Sequence, residues 1–203
     1  MNMVDDDGNK VVFVHGLPKF GAKPGRDYWG RDFISKALSV LNDRKSDIEE
    51  YNYSVFSSAS NRREKGYQYA RDNIDRLVSD IEEDESFKFV SHSMGAAFSE
   101  GVADYLREQG YTVDVMIHLS PFQASDIHSS GEREDVLTID YQTKGDPVLM
   151  LGLFSQGTIG GADAIFRKEP IHGVKEMQYI HTESLSSSIW DEIMNAVNNF
   201  LQK

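Results

Sequence analysis

The sequence predicts a domain of the α/β class, with a mostly parallel β-sheet and helices on both of its faces. Two observations lead to this prediction. Short apolar runs, typical of strands buried on both faces, alternate along the chain with longer segments whose apolar residues recur every three or four positions, as in amphipathic helices. Strands that alternate with helices also need crossover connections, and these join parallel strands.

Six segments are predicted to be strands. The clearest of them, residues 11–14, is a continuous apolar run that ends at His15 and Gly16. The others are residues 48–56, 87–91, 113–119, 136–141 and 175–180. Of these, the segment 48–56 fits least well, because it contains Glu49 and Glu50.

Four segments have the apolar stripe of an amphipathic helix, namely residues 33–41, 67–81, 95–109 and 189–201. Asn61, followed three residues later by Glu64, suits an N-terminal cap for the second helix. Gly110 is expected to end the third helix. The least regular segments, 18–28 and 155–173, contain glycines, and such loops lie where ligands bind in an open α/β sheet.

The length of the chain suits one domain. We predict a single domain over residues 1–203, in which residues 1–10 form a flexible acidic N-terminal segment. No apolar run approaches the ~20 residues of a membrane-spanning helix. Residues 1–10 are acidic and polar, unlike a signal peptide. The default expectation is a soluble cytoplasmic protein without an integral membrane segment, and the oligomeric state is left open.

The charge of the chain excludes some classes of partner. Acidic residues outnumber basic ones by 33 to 21, for a formal net charge of -12. The only dense basic group, residues 62–65, is interrupted by Glu64. Phosphate-binding surfaces need clustered lysine and arginine, so nucleic acid is not expected as a partner.

No cofactor is expected. The chain has no cysteine, which excludes disulfides, thiolate catalysis and cysteine-ligated zinc. The acidic run at residues 5–9 lacks the later glutamate of a calcium loop. Neither a His-Glu-x-x-His zinc helix nor a phosphate-binding glycine loop occurs. We therefore predict a protein that works without a metal or an organic cofactor.

The sharpest local pattern is the segment 87–97, in which an apolar strand runs into Ser93 and a helix begins at once. A serine on so tight a turn has its hydroxyl pushed above the edge of the sheet, and the residues two before and two after it must be small. Ser91 and Gly95 meet this demand. The amino end of the helix also offers backbone N–H groups to a developing oxyanion.

In these residues the sequence resembles the α/β-hydrolase superfamily, and its lipase/esterase branch in particular. The nucleophile motif of that family is Gly-x-Ser-x-Gly, and this chain has Ser91-His92-Ser93-Met94-Gly95, with serine in place of the first glycine. The resemblance implies a three-layer sandwich in which Ser93 is the nucleophile. A His-Gly pair after the first strand, here His15-Gly16, is also similar to the family. It implies an oxyanion hole formed by the backbone N–H groups of Leu17 and Met94.

A serine hydroxyl needs a base, and the base needs a carboxylate to orient it. The family order is serine, acid, histidine. His181 precedes the last helix, which is the family position of the base, and His172 is the alternative. His118 lies inside an apolar strand and is interpreted as a core residue.

The acid is predicted at Asp146, between Gly145 and Pro147. This turn follows a strand and holds a carboxylate at the carboxyl edge of the sheet. Asp140, within the strand, is the rival, and Asp163 is a weaker alternative.

These residues predict a serine esterase that forms an acyl-enzyme on Ser93, Asp146 and His181. The short segment 123–135 leaves room for only a minimal cap, which favours accessible ester or lipid-like small molecules as substrates. The apolar segment 148–154 is interpreted equally well as an acyl-pocket lining or as the start of a buried helix. Two other functions stay open, namely thioester hydrolysis or another acyl transfer on the same triad, and an inactive binding or effector domain with this fold.

Overall fold

A computed structural model describes residues 9–18, 24–54, 56–129, 135–149, 157–170 and 177–201. Within these ranges a single sheet contains six parallel strands in the order β2-β1-β3-β4-β5-β6. The strands are β1 (Lys10–Val14), β2 (Lys45–Glu49), β3 (Ser86–His92), β4 (Thr112–Leu119), β5 (Leu137–Thr143) and β6 (Ala164–Lys168). The predicted α/β class and parallel sheet are confirmed.

Seven helices connect or follow the strands in the described ranges. They are α1 (Arg26–Trp29), α2 (Arg31–Leu41), α3 (Ala59–Asp72), α4 (Ile74–Leu77), α5 (Gly95–Glu108), α6 (Met177–Thr182) and α7 (Ile189–Leu201). None of them combines the length and the apolar character needed to cross a lipid bilayer.

The helices form a layer on each face of the sheet. On one face, alternate residues of the strands pack against α2 and α7, with Trp190 fully buried among them. On the other face, the intervening strand residues pack against α3 and α5, where Phe98 is fully buried. The central strands β1 and β3 are buried over their whole length, which explains the apolar runs at residues 11–14 and 89–90.

Helices α3 and α5 touch through two glycines. A Cβ atom added to Gly66 would collide with the backbone carbonyl of Phe98, and one added to Gly101 would collide with that of Arg63. The two helix backbones therefore lie in direct contact, and only glycine fits at these positions.

The predicted strand 48–56 is wrong in its extent. Strand β2 ends at Glu49, and Tyr51 lies beyond it with its ring 4.5 Å from that of Phe98, centroid to centroid. Tyr51 and Tyr53 therefore pack against Phe98 of α5 rather than in the sheet, and Phe56 is exposed. Strand β2 itself lies at the edge of the sheet and is half-exposed, so its sequence is polar.

The last strand also differs from the prediction. Residues 171–176 lie outside the described ranges, and the segment that follows them, α6, is helical rather than extended. The sixth strand is β6, inside the segment 155–173 that was predicted to be irregular. A segment as short as 175–180 gives too few residues for periodicity to separate a helix from a strand.

Two helix boundaries were predicted incorrectly. Helix α3 begins after Ser58, whose hydroxyl accepts a hydrogen bond from the Asn61 N–H at 3.1 Å, so Ser58 rather than Asn61 is the cap. The helix breaks at Asn73, and α4 follows as a separate short helix. Of the segment 1–10 that was predicted to be flexible, residues 1–8 lie outside the described residues, whereas Lys10 is the buried first residue of β1.

Candidate active site

Ser93 lies on the turn between β3 and α5, as the sequence predicts. Its backbone is in the left-handed region, with φ 54°, which is unusual for a residue other than glycine. Two hydrogen bonds hold this conformation, because the Ser93 N–H donates to the Leu119 carbonyl at 2.9 Å and the Ser93 carbonyl accepts from the Phe122 N–H at 3.1 Å. A strained backbone that its surroundings hold in place is characteristic of functional sites.

The turn after β1 packs directly against the turn at Ser93. A Cβ atom on Gly16 would lie 2.6 Å from the Cβ of Ser93, and one on Gly95 would lie 2.5 Å from the carbonyl oxygen of His15. The small residue at position 95 is thus required by the end of β1. Strand β1 lies between β2 and β3 in the sheet, so the order of the strands reverses direction between β1 and β3. The two turns follow these two strands and therefore flank the switch point of the sheet, where open α/β proteins bind ligands.

Ser91, which replaces the first glycine of the motif, has a partner for its hydroxyl. Its Oγ shares a hydrogen bond of 2.7 Å with Nδ1 of His118, and Nε2 of His118 donates to Oε1 of Glu100 at 3.0 Å. All three residues are fully buried. His118 is therefore a core residue with both ring nitrogens satisfied, as its place in an apolar strand predicts.

His181 and Asp146 lie together. Nδ1 of His181 donates to Oδ2 of Asp146 at 2.7 Å, and both residues are buried. The other carboxylate oxygen, Oδ1, accepts the Val148 N–H at 3.0 Å, which fixes the orientation of the carboxylate on its turn. Because Nδ1 carries the proton in this hydrogen bond, Nε2 of a neutral His181 is left as an acceptor.

The alternative acids are engaged elsewhere. Asp140 accepts hydrogen bonds from the Ile159 N–H at 3.0 Å and from the side chain of Gln142, and burial raises the pKa of its carboxyl. Asp163 accepts from the Thr138 N–H at 2.8 Å. Of the three aspartates, Asp146 is the one bonded to His181. The alternative base, His172, lies outside the described residues.

His181 lies beside the turn that carries Ser93. The ring of His92, the residue before Ser93, is 4.7 Å from the ring of His181, centroid to centroid. Within the described residues the Ser93 hydroxyl makes no hydrogen bond to the His181 ring. The geometry therefore brings Asp146 and His181 into direct contact and places the turn of Ser93 next to them.

The turn at residues 15–17 is rigidly held. His15 donates from Nδ1 to the Gly16 carbonyl at 2.5 Å, and its Nε2 accepts the Tyr51 N–H at 3.4 Å. Burial lowers the pKa of His15, which favours the neutral ring that this pattern requires. Within the described ranges the N–H groups of Leu17 and Met94 donate to no backbone carbonyl.

A cavity of about 180 Å³ opens beside the two histidines. Its described lining residues are Leu17, Asp27, Tyr28, His92, His181, Thr182 and Leu185. The walls are therefore mostly apolar and aromatic, and Asp27 is the charged residue among those that the structure describes there. A second cavity of about 270 Å³ lies against the Asp146 turn and contains Lys144 and Arg167 in its wall.

No protein-family model matches the sequence, and no curated protein matches it. Solved structures do match. An esterase from Pyrobaculum calidifontis, in a monoclinic crystal form, is 13% identical with a TM-score of 0.54, over 96% of this chain and 77% of that one. Carboxyl esterase 2 from the mycorrhizal fungus Tuber melanosporum is 13% identical with a TM-score of 0.52, over 97% of this chain and 80% of that one.

The chain has an α/β-hydrolase fold. At this level of identity the likeness concerns the path of the backbone. The chemistry of the site must be argued from its own residues.

The roles of two residues near the site could not be predicted from the sequence. Tyr28 lies in the segment 18–28, which was predicted to be an irregular ligand-binding loop, and its hydroxyl is 2.5 Å from Nδ1 of His92. Arg62, noted only as part of a basic group, is buried and donates to the Gln123 side chain at 2.8 Å and to the Phe122 carbonyl. Arg62 thus holds the loop that bonds to Ser93. Single tyrosines and arginines are too common for either role to be predicted.

Proposed function

We propose that this protein is a serine hydrolase that cleaves carboxylic esters. In this proposal Ser93 is the nucleophile, His181 is the general base and then the general acid, and Asp146 orients the imidazole. The backbone N–H groups of Leu17 and Met94 form the oxyanion hole. No cofactor takes part.

The reaction has two halves. First, Nε2 of His181 takes the proton of the Ser93 hydroxyl as Oγ attacks the ester carbonyl carbon, and the oxyanion is held by the two N–H groups. His181 then gives this proton to the departing alcohol, which leaves the acyl group on Ser93. In the second half, water attacks the acyl-enzyme, with His181 again as the base, and the acid is released with regeneration of Ser93.

The observation that carries this proposal is the buried hydrogen bond from His181 to Asp146 beside the turn of Ser93. A buried carboxylate on Nδ1 selects the tautomer in which Nε2 accepts a proton, which is the arrangement that activates a serine hydroxyl. Within the described residues the Ser93 hydroxyl does not bond to His181, and catalytic hydrogen bonds of this kind are often long without substrate and shorten when it binds.

The cavity supports small esters as the substrates. Its volume of about 180 Å³ suits a short acyl or alcohol group, and Leu17 and Leu185 give it apolar walls. Leu17 is 41% exposed, so the site opens directly to solvent on that side. We expect accessible neutral esters, including lipid-like ones of short chain, to be the preferred class.

A panel of p-nitrophenyl esters from acetate to palmitate tests the proposal. Turnover is expected to be highest for short acyl chains, and Ser93→Ala is expected to remove most of it, on the order of 10³-fold or more. Ser99→Ala is the matched control, because the Ser99 hydroxyl is buried in α5 and donates to the Ala96 carbonyl.

Retention of most turnover in Ser93→Ala would overturn the proposal and favour an inactive binding domain. Thioester analogues belong in the same panel. A large preference for thioesters over the matching oxygen esters would leave the triad in place but change the substrate class.

A further inference from the structure

We propose that Tyr28 and His92 are positioning residues that link the oxyanion turn to the catalytic base through one chain of hydrogen bonds. This inference rests on the proposed function, since it concerns how His181 and the turn at Gly16 are held relative to each other.

The chain of hydrogen bonds has three links. The Gly16 N–H donates to the Tyr28 hydroxyl oxygen at 3.2 Å, the Tyr28 hydroxyl is 2.5 Å from Nδ1 of His92, and Nε2 of His92 is 3.1 Å from the His181 carbonyl. The Ser184 hydroxyl also donates to that carbonyl, at 3.3 Å. The backbone of His181 is therefore held from the side of the nucleophile turn.

The direction of each link follows from its end groups. A carbonyl oxygen only accepts, so Nε2 of His92 carries a proton and donates to His181. In a neutral ring Nδ1 is then an acceptor, and the Tyr28 hydroxyl donates to it. Burial raises the pKa of Tyr28, so the hydroxyl keeps its proton. The phenol oxygen in turn accepts from Gly16, which completes an ordered chain.

This arrangement gives His92 a role distinct from that of a base. Both of its ring nitrogens are engaged, one with a hydroxyl and one with a backbone carbonyl. His92 is also adjacent to Ser93 in the chain, so it joins the nucleophile turn, the oxyanion turn and the backbone of His181. Displacement of reacting groups by about 1 Å costs on the order of 10²-fold in rate, which is why such a link matters.

Kinetics of four variants on p-nitrophenyl butyrate test the proposal. Tyr28→Phe removes only the shared hydroxyl and is expected to lower kcat about 10-fold with KM within about 2-fold, because the substrate still binds while the reacting groups are displaced. Tyr53→Phe is the matched control. Tyr53 is also buried, but its hydroxyl has no hydrogen-bond partner within the described residues, so kcat should not change.

The two substitutions of His92 give a rescue test. His92→Gln keeps an N–H donor for the His181 carbonyl and an acceptor for Tyr28, whereas His92→Phe keeps the ring and loses both. We expect the kcat of His92→Gln to be several-fold higher than that of His92→Phe. The two are compared per folded molecule, with the folded fraction taken from thermal unfolding. Equal kcat in Tyr28→Phe and Tyr53→Phe would overturn the proposal, as would equal kcat in the two His92 variants.

A nuclear magnetic resonance measurement separates this inference from the proposed function. Imidazole ¹⁵N spectra of the wild type should show His92 with Nε2 protonated and Nδ1 as a strong acceptor, and Tyr28→Phe should weaken the hydrogen bond at Nδ1. If Ser93→Ala keeps wild-type turnover, the proposed function fails, and the link is then decided by these spectra alone. A protonated Nδ1 on neutral His92 would overturn it.

Discussion

At the scale of single residues, the replacement of a motif glycine by Ser91 has a physical explanation. The turn at Ser93 needs a small residue two positions earlier, and serine is small enough. Its hydroxyl would be costly to bury alone, but it bonds to His118, which bonds to Glu100 on the helix that leaves the turn. Ser91 therefore connects β3, β4 and α5 next to the turn of Ser93.

We predict different effects for two substitutions at this position. Ser91→Gly leaves Nδ1 of His118 without its partner and should lower the free energy of unfolding by about 1–3 kcal/mol, with ester turnover within a few-fold of the wild type. Ser91→Leu should prevent correct folding, because Ser91 is fully buried and a larger side chain would overpack its site. Chemical denaturation measures the stability of the two variants, and an ester assay measures their turnover. Mild effects of Ser91→Leu would show that α5 does not approach β3 closely.

A pH effect is expected at His15. Burial lowers the pKa of this imidazole below the ordinary 6.5 of the unfolded chain. On acidification the unfolded state therefore binds a proton at a higher pH than the folded state does. The stability that wild-type His15 confers over His15→Phe should be complete above pH 6.5 and should shrink as the pH falls below that value. Urea denaturation of both proteins from pH 5 to pH 8 measures the difference. A difference that grows on acidification would contradict the assignment of a lowered pKa.

The site residues could be predicted from the sequence to different degrees. Ser93, Asp146 and His181 have recognisable neighbours and a fixed order along the chain, and the structure places Asp146 and His181 in direct contact. Tyr28 and Arg62 could not be predicted. Their roles depend on distant residues that only the folded chain brings to them, and their own sequence neighbours do not indicate these partners.

At the scale of elements, the sequence predicts the centre of the sheet better than its edges. Strands β1 and β3 are buried on both faces, and most of their residues between 11 and 14 and between 87 and 90 are apolar. Strands β2 and β6 lie at the two ends of the sheet and are largely half-exposed, so polar and charged residues interrupt their patterns. Their positions depend on pairing with a neighbouring strand, which a local pattern does not encode.

The contact between α3 and α5 gives a prediction at this scale. A methyl group at Gly101 would meet the backbone of α3, which cannot move aside as a flexible side chain would. We expect Gly101→Ala to lower the free energy of unfolding by about 2 kcal/mol or more. Ser60→Ala, at an exposed position of α3, is the control and should be near neutral. Equal stability of the two variants would show that the helices are not in backbone contact.

At the scale of the whole molecule, the negative charge should influence which substrates approach. The formal net charge is -12, and Asp27 lies in the wall of the cavity. Anionic esters should therefore be repelled. We predict that kcat/KM for a p-nitrophenyl ester of succinate rises several-fold between about 0.01 M and 0.5 M salt, while the value for the neutral butyrate changes little. A salt response equal for both esters would contradict this explanation.

Covalent labelling identifies the nucleophile of the protein. The wild type is treated with a serine-directed fluorophosphonate, and the modified peptide is identified by mass spectrometry. We expect one adduct, on Ser93, that is absent in Ser93→Ala and formed at an unchanged rate in Ser99→Ala. We also expect strongly slowed labelling in His181→Ala, because the hydroxyl then lacks its base. Labelling of another serine, or equal labelling of Ser93→Ala and the wild type, would contradict the proposed function.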